Sequence, residues 1–377
     1  MNCTTRFQPF ELERIMSRWE QAVEYNLSES GVHPVVLREL VEDPAEVEEL
    51  LSTELNYPQV NGTVELRERI AALYPGATPD NVLVTAGCIE ANFITVQTLL
   101  APGDEMVVML PNYMQIWGLG HNFGLRVKTF HLREERGWTP DLDEVNEAIS
   151  EETKLIAVCN PNNPTGHILT PASMDSLVAA AERVGAWLLA DEVYSGAERL
   201  TDAQTPSFWD RYDKVLAMGS MSKAYGLPGL RIGWVVAPAD TIDDLWARHE
   251  YTTISTAMLS NKLAAIALSP DVRPRLIQRT RDYIRRGFPI LDGWLESHEA
   301  TFSLVPPQAA AIAFVRYHLD VNSTEMVNRL IHEKSVLIAP GDHFGMDHHL
   351  RISYGLPPDY LEAALGRIHE LIVELQE

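Results

Sequence analysis

Apolar residues in this chain come in short unbroken blocks. Asn81–Thr85 (NVLVT), Glu105–Leu110 (EMVVML), Lys154–Cys159 (KLIAVC) and Trp187–Ala190 (WLLA) each read as a strand buried on both faces. Gly124–Phe130, Lys214–Met218 and Ile232–Val236 read the same way. Helical stretches separate them, the clearest running from Ile89 to Leu100 just after Gly87. Such alternation predicts an α/β fold with a large, mainly parallel sheet covered on both sides. After about residue 240 the pattern changes. Long helices are expected over Leu245–Ala265 and Arg275–Ser297, strands at Ala311–Val315, Val336–Ile338 and Leu350–Ser353, and a closing helix over Pro358–Leu375. The expected division is an N-terminal segment 1–45 packing with a smaller α+β domain of residues 271–377, and a large domain of residues 46–270.

Ligands of an open parallel sheet bind beyond the carboxyl ends of its strands. The polar residues there are Gly87 and Cys88, Asn112 and Tyr113, Asn160 to Gly166, Asp191 to Tyr194, and Ser220 to Lys223. Each has an ordinary reading as a turn or cap, but together they carry chemistry. A partly desolvated Lys223 amine can form a Schiff base. Arg231, eight residues on, offers a rigid fork to a phosphate, and Ser220 adds a hydroxyl donor. Asp191 ends an apolar strand, where a carboxylate needs a cation or donor as partner. The Asn–Pro–Gly run 160–166 would hold an Asn amide rigidly over the site.

Composition narrows the classes. The chain has 377 residues, 46% hydrophobic and 22% charged, which suits roughly two globular domains. Lys and Arg total 30 against 53 Asp and Glu, a net charge of −23. Such a surface repels nucleic acid and anionic lipid, leaving small molecules as partners. Cys3, Cys88 and Cys159 form no CxxC pair and read as reduced thiols. The N-terminus meets charge at Arg6 and Glu11 before any apolar run, and no run is long enough to span a membrane. A cytoplasmic location is therefore expected. Gly118 to Gly124 misses the dinucleotide spacing by one residue. His343, His348 and His349 with Asp342 and Asp347 fit no metal-ligand pattern, so no metal is expected.

Five segments together carry a resemblance: Asn160–Gly166 (NPNNPTG), Asp191–Tyr194 (DEVY), Ser220–Trp234 (SMSKAYGLPGLRIGW), Pro340–Gly345 (PGDHFG) and Arg351–Gly355 (RISYG). In this order, over about residues 50–355, they resemble the fold-type I pyridoxal-phosphate aminotransferases of class I/II. The resemblance implies a large cofactor-binding domain, a smaller C-terminal one and a homodimer. It implies transfer of an amino group between an L-amino acid and a 2-oxo acid in ping-pong fashion. Lys223 resembles the lysine that holds pyridoxal 5'-phosphate covalently and then shuttles a proton. Asp191 resembles the partner of the ring nitrogen, and Tyr194 and Asn163 the pair bonding the ring oxygen. Ser220 and Arg231 match phosphate ligands, completed by backbone amides of Gly87, Cys88 and Ile89. Tyr113 resembles the aromatic ring stacked on the cofactor. Tyr57, in NYPQVNG, resembles the tyrosine that reaches the neighbouring subunit's phosphate. Arg351 resembles the clamp on the substrate carboxylate, with Gly31 beside it.

The chain also departs from that pattern. Pro306–Ala311 (PPQAAA) lacks the family's glycine pair, and Cys88, Ile89 and Glu90 replace smaller, more hydroxylated residues. The segment Glu24–His33 (EYNLSESGVH) is similar to a subgroup that includes capreomycidine synthase and the arginine oxidases. That likeness implies an alternative, a cyclase, eliminase or oxidase acting on an arginine-like amino acid. Glu24 or Glu29 would hold the guanidinium, and His33 would stand at the substrate mouth.

Overall fold

The computed structural model describes residues 7–376; Cys3 lies outside them. Seven strands form the large sheet: Val82–Thr85, Glu105–Leu110, Arg126–His131, Thr153–Cys159, Trp187–Asp191, Val215–Ser220 and Gly233–Val236. Across the sheet they lie in the order first, seventh, sixth, fifth, fourth, second, third. All neighbours pair in parallel except the seventh strand, which runs antiparallel to the first and the sixth.

The unbroken apolar runs have a direct cause. Val107, Ile156, Val158, Leu188 and Ala217 pack into one core, whereas Met106, Val108, Leu155, Leu189 and Leu216 pack into another on the opposite face. Successive side chains of a strand point to opposite faces, so a sheet covered on both sides needs apolar residues at every position.

One long helix of the sequence reading is two. The structure has Ala239–His249 and Met258–Ala267, separated by a loop in which Ile254 adopts φ +64°. The run Thr252-Thr253-Ile254-Ser255-Thr256 is rich in β-branched residues, which lose rotamer freedom in a helix, and this decides against continuity. The other long helix spans Val272–Glu296. A four-stranded antiparallel sheet follows, in which His349–Ser353 lies between Ile312–Tyr317 and Ala339–Pro340. The short N-terminal strand Tyr25–Asn26 pairs in parallel with Val336–Leu337. Leu12, Ile15, Met16 and Trp19 recur at helical spacing, and the helix Glu11–Trp19 they form buries Leu12 and Met16. Among the described residues, no helix is long and apolar enough to cross a membrane.

Candidate active site

A cavity of about 300 Å³ opens at the carboxyl ends of the parallel strands. Its walls include Cys88, Ile89, Tyr113, Asn163, Asp191, Tyr194, Ser220, Lys223, Arg231 and Arg351, all of them expected site residues.

Asp191 is the last residue of its strand and 9% exposed. Its Oδ1 accepts the Val193 N–H at 3.2 Å. Burial raises its pKa to about 6, against the lowering pull of that bond and of Lys223. A cation facing this carboxyl would recover the cost. Tyr194 is buried and donates to Ser30 Oγ at 2.8 Å. Burial pushes its phenol far above the ordinary range.

Arg231, Ser220 and the start of a helix form another wall of the cavity. Gly87 has φ +82°, and a Cβ built on it would lie 2.6 Å from an Arg231 guanidinium nitrogen. No side chain fits between this turn and Arg231. The helix Cys88–Leu99 starts there, and the first N–H groups of a helix have no intrahelical acceptor. Ser220 Oγ lies 3.0 Å from Ser222 Oγ and accepts the Ser222 N–H at 3.0 Å. Ser222 therefore belongs to the same wall; the SxS spacing contained that signal.

Arg351 is 2% exposed and sits in the middle of its strand. It donates to Asn163 Oδ1 at 2.9 Å and to the Ser28 carbonyl, while its Nε has no partner. Asn163 is fixed in turn by its loop, where Asn162 donates to the Pro111 carbonyl at 3.1 Å and Asn160 Oδ1 accepts the Leu169 N–H at 2.9 Å. Gly31 lies against the lysine: a Cβ there would stand 3.3 Å from the Ser222 carbonyl and 3.8 Å from Lys223 Cδ.

Three expected residues are not brought to the cavity of the single chain. Tyr57 is 81% exposed. His33 is exposed and does not line the cavity. Its N–H donates to the Gly355 carbonyl, its own carbonyl accepts from Arg279, and its ring lies 6.0 Å from that of Tyr283. Glu24 is also elsewhere, 3.7 Å from Arg367.

The helix Glu11–Trp19 supplies walls that the sequence reading missed. Leu12, Glu13 and Met16 line the cavity, with Glu20 just beyond the helix end. Glu13 accepts the Tyr113 hydroxyl at 2.6 Å, and Phe10 packs edge-on against the Tyr113 ring. Glu29 pairs with Lys223 at 3.4 Å, and that ammonium holds the Glu29 carboxyl below its usual range. Burial, with Glu29 and Glu13 nearby, raises Glu20. Cys88 and Cys159 are free, and burial pushes both thiols well up, so they stay protonated. Asp342 and Asp347 are taken up by Asn322, Ser323 and Thr324. Among the described residues, no three His, Cys, Asp or Glu side chains gather as metal ligands would.

The family model of the class I and II aminotransferases matches residues 24–368. The chain belongs to this family. Members of the class I and II aminotransferases use pyridoxal phosphate, and the chain has their fold-type I architecture. It is similar to capreomycidine synthase of Streptomyces vinaceus, 32% identical over 92% of this chain and 89% of that protein. It is also similar to arginine–pyruvate transaminase AruH of Pseudomonas aeruginosa, 28% identical over 88% and 86%. A solved pyridoxal-phosphate-dependent aminotransferase from Streptococcus suis superposes with a TM-score of 0.92 at 29% identity, covering 99% of each chain. The cavity fits this aminotransferase cofactor. Its walls bring together Arg231 and Ser220, which could hold an anion, the buried carboxyl group of Asp191, and Lys223.

Proposed function

We propose that the protein is a pyridoxal-phosphate-dependent aminotransferase for an L-amino acid with a cationic side chain. The observation carrying this reading is that Glu13, Glu20 and Glu29 share one cavity with Lys223, Asp191 and Arg351. Three carboxylates repel an acidic substrate and suit an ammonium or guanidinium, which pairs bidentately with carboxylate.

This reading gives each cavity residue a role. Arg231, Ser220, Ser222 and the backbone amides of Cys88 and Ile89 would hold the phosphate. Asp191 would pair with the ring nitrogen, Tyr113 would stack on the ring, and Tyr194 with the Asn163 amide would bond the ring oxygen. Bound there, pyridoxal phosphate supplies the electron sink for the pair left when the substrate Cα proton departs. Arg351 holds the substrate carboxylate, so the Cα–H bond is oriented before it breaks. Lys223 Nζ takes that proton as general base. The N-terminal helix, with Leu12 and Met16 towards the cavity, keeps water from the reacting atoms.

A homodimer in the cytoplasm is part of the proposal. Leu51, Leu55, Tyr57, Tyr251 and Ile254 are large apolar residues left at least half exposed in the single chain. A second copy covering these residues would bury apolar area, and Tyr57 would serve the partner's phosphate site. Light scattering at micromolar concentration should give twice the chain mass of 42.3 kDa. A fully active monomer would end this idea.

A second reading is a cyclase, eliminase or oxidase on an arginine-like amino acid. Its support is Glu29, a carboxylate 3.4 Å from Lys223 in the segment similar to capreomycidine synthase. A panel of amino acids scored by mass spectrometry, with and without pyruvate, tests both readings. Arginine and lysine should outrun aspartate and glutamate by at least about tenfold. Equal or better use of the acidic substrates would overturn the cationic assignment.

A further inference from the structure

The helix Cys88–Leu99 carries a carboxylate in its first turn, Glu90, which is buried. Glu90 folds back on the turn before it: Oε2 accepts the Ala86 N–H at 2.6 Å. Its Oε1 accepts the hydroxyls of Thr252 and Thr253, the second at 2.8 Å. His249 Nε2 lies 3.5 Å from Oε2 and is completely buried. Burial pushes the Glu90 carboxyl up, but the bonds from His249, Thr252 and the Ala86 amide outweigh it and hold the pKa at about 2.

One carboxylate thus ties three pieces of chain together. They are the Ala86–Gly87 turn, the last residue of the helix Ala239–His249, and the loop containing Thr252 and Thr253. The turn is the one over which Arg231 lies, so its exact path sets where the cradle's N–H groups aim. A carboxylate touching the anion itself would repel it. Glu90 instead commits its acceptors to the turn and the loop behind it.

We propose that Glu90 is a positioning residue for the phosphate cradle. By fixing the Ala86 N–H it makes the amides of Cys88 and Ile89 converge with Arg231 and Ser220 on the phosphate of pyridoxal phosphate. This rests on the reading that the cofactor occupies this cavity.

The test uses the full chain stripped of cofactor, then titrated with pyridoxal phosphate. Three quantities are read: the dissociation constant, the ³¹P resonance of the bound phosphate, and the Tm of the apo protein. Glu90→Ala should weaken the cofactor roughly tenfold and move the ³¹P resonance. Glu90→Gln keeps an acceptor for the Ala86 N–H and should recover most of the affinity. A Thr252→Val/Thr253→Val double variant leaves Glu90 in place but loosens it. It should move the same resonance and weaken binding several-fold, which keeps the idea testable if Glu90→Ala does not fold. A lower apo Tm with unchanged affinity and resonance would make Glu90 a packing residue and overturn the proposal. Wild-type protein that shows no bound phosphate resonance would instead defeat the cofactor reading beneath it.

Discussion

Replacing Lys223 by alanine should leave a folded protein that turns over at least about 10³-fold more slowly. Lys223 follows the strand Val215–Ser220 by three residues and is only partly buried. Its removal therefore opens no hole in the sheet core and should leave apo stability close to wild type. The anion cradle does not include it, so pyridoxal phosphate should still bind, but without a covalent bond. What disappears is the covalent anchor and the base at the substrate Cα. Borohydride reduction followed by peptide mass spectrometry checks the first loss, and steady-state rates check the second. An adduct on a different lysine in the wild type would show that the assignment is wrong.

Arg351→Ala should reduce kcat/KM by ~30- to ~1000-fold, about 2–4 kcal/mol of lost carboxylate recognition. The cofactor should remain bound, because Arg351 bonds Asn163 and Ser28 and is not one of the residues proposed to hold the phosphate. A stability cost accompanies the loss. Arg351 is buried mid-strand, and its removal frees Asn163 Oδ1 and the Ser28 carbonyl. Melting curves of the apo variant separate that cost from the kinetic one. Substrate affinity within twofold of wild type would mean that another group holds the carboxylate.

The sheet and its strand-end residues are legible in the sequence because burial on both faces forces unbroken apolar runs, which are visible in one dimension. Asp191, Ser220 and Asn163 follow from that reading, since they stand where the runs stop. The N-terminal contribution is less accessible. Glu13 reaches Tyr113 across a separation of 100 residues, and nothing local to either residue announces the contact. The helical spacing of Leu12, Ile15, Met16 and Trp19 is a clue to the helix, but not to where it docks. His33 misleads for a related reason. Proximity in sequence to Gly31 suggests proximity in space, yet the backbone bonds of His33 to Gly355 and Arg279 carry it away from the cavity. The run after His249 reads as helix from the apolar content around it, although its β-branched residues favour the loop.

The central claim is transamination of a cationic amino acid, and acceptor dependence tests it most directly. Holoenzyme given arginine alone should form a single equivalent of 2-oxo acid per subunit and stop, with the cofactor left in its amine form. Adding pyruvate should restart conversion and yield alanine in step with further oxo acid. Sustained conversion of arginine with no oxo acid present, with or without oxygen uptake, would contradict the account and establish the cyclase, eliminase or oxidase reading in its place.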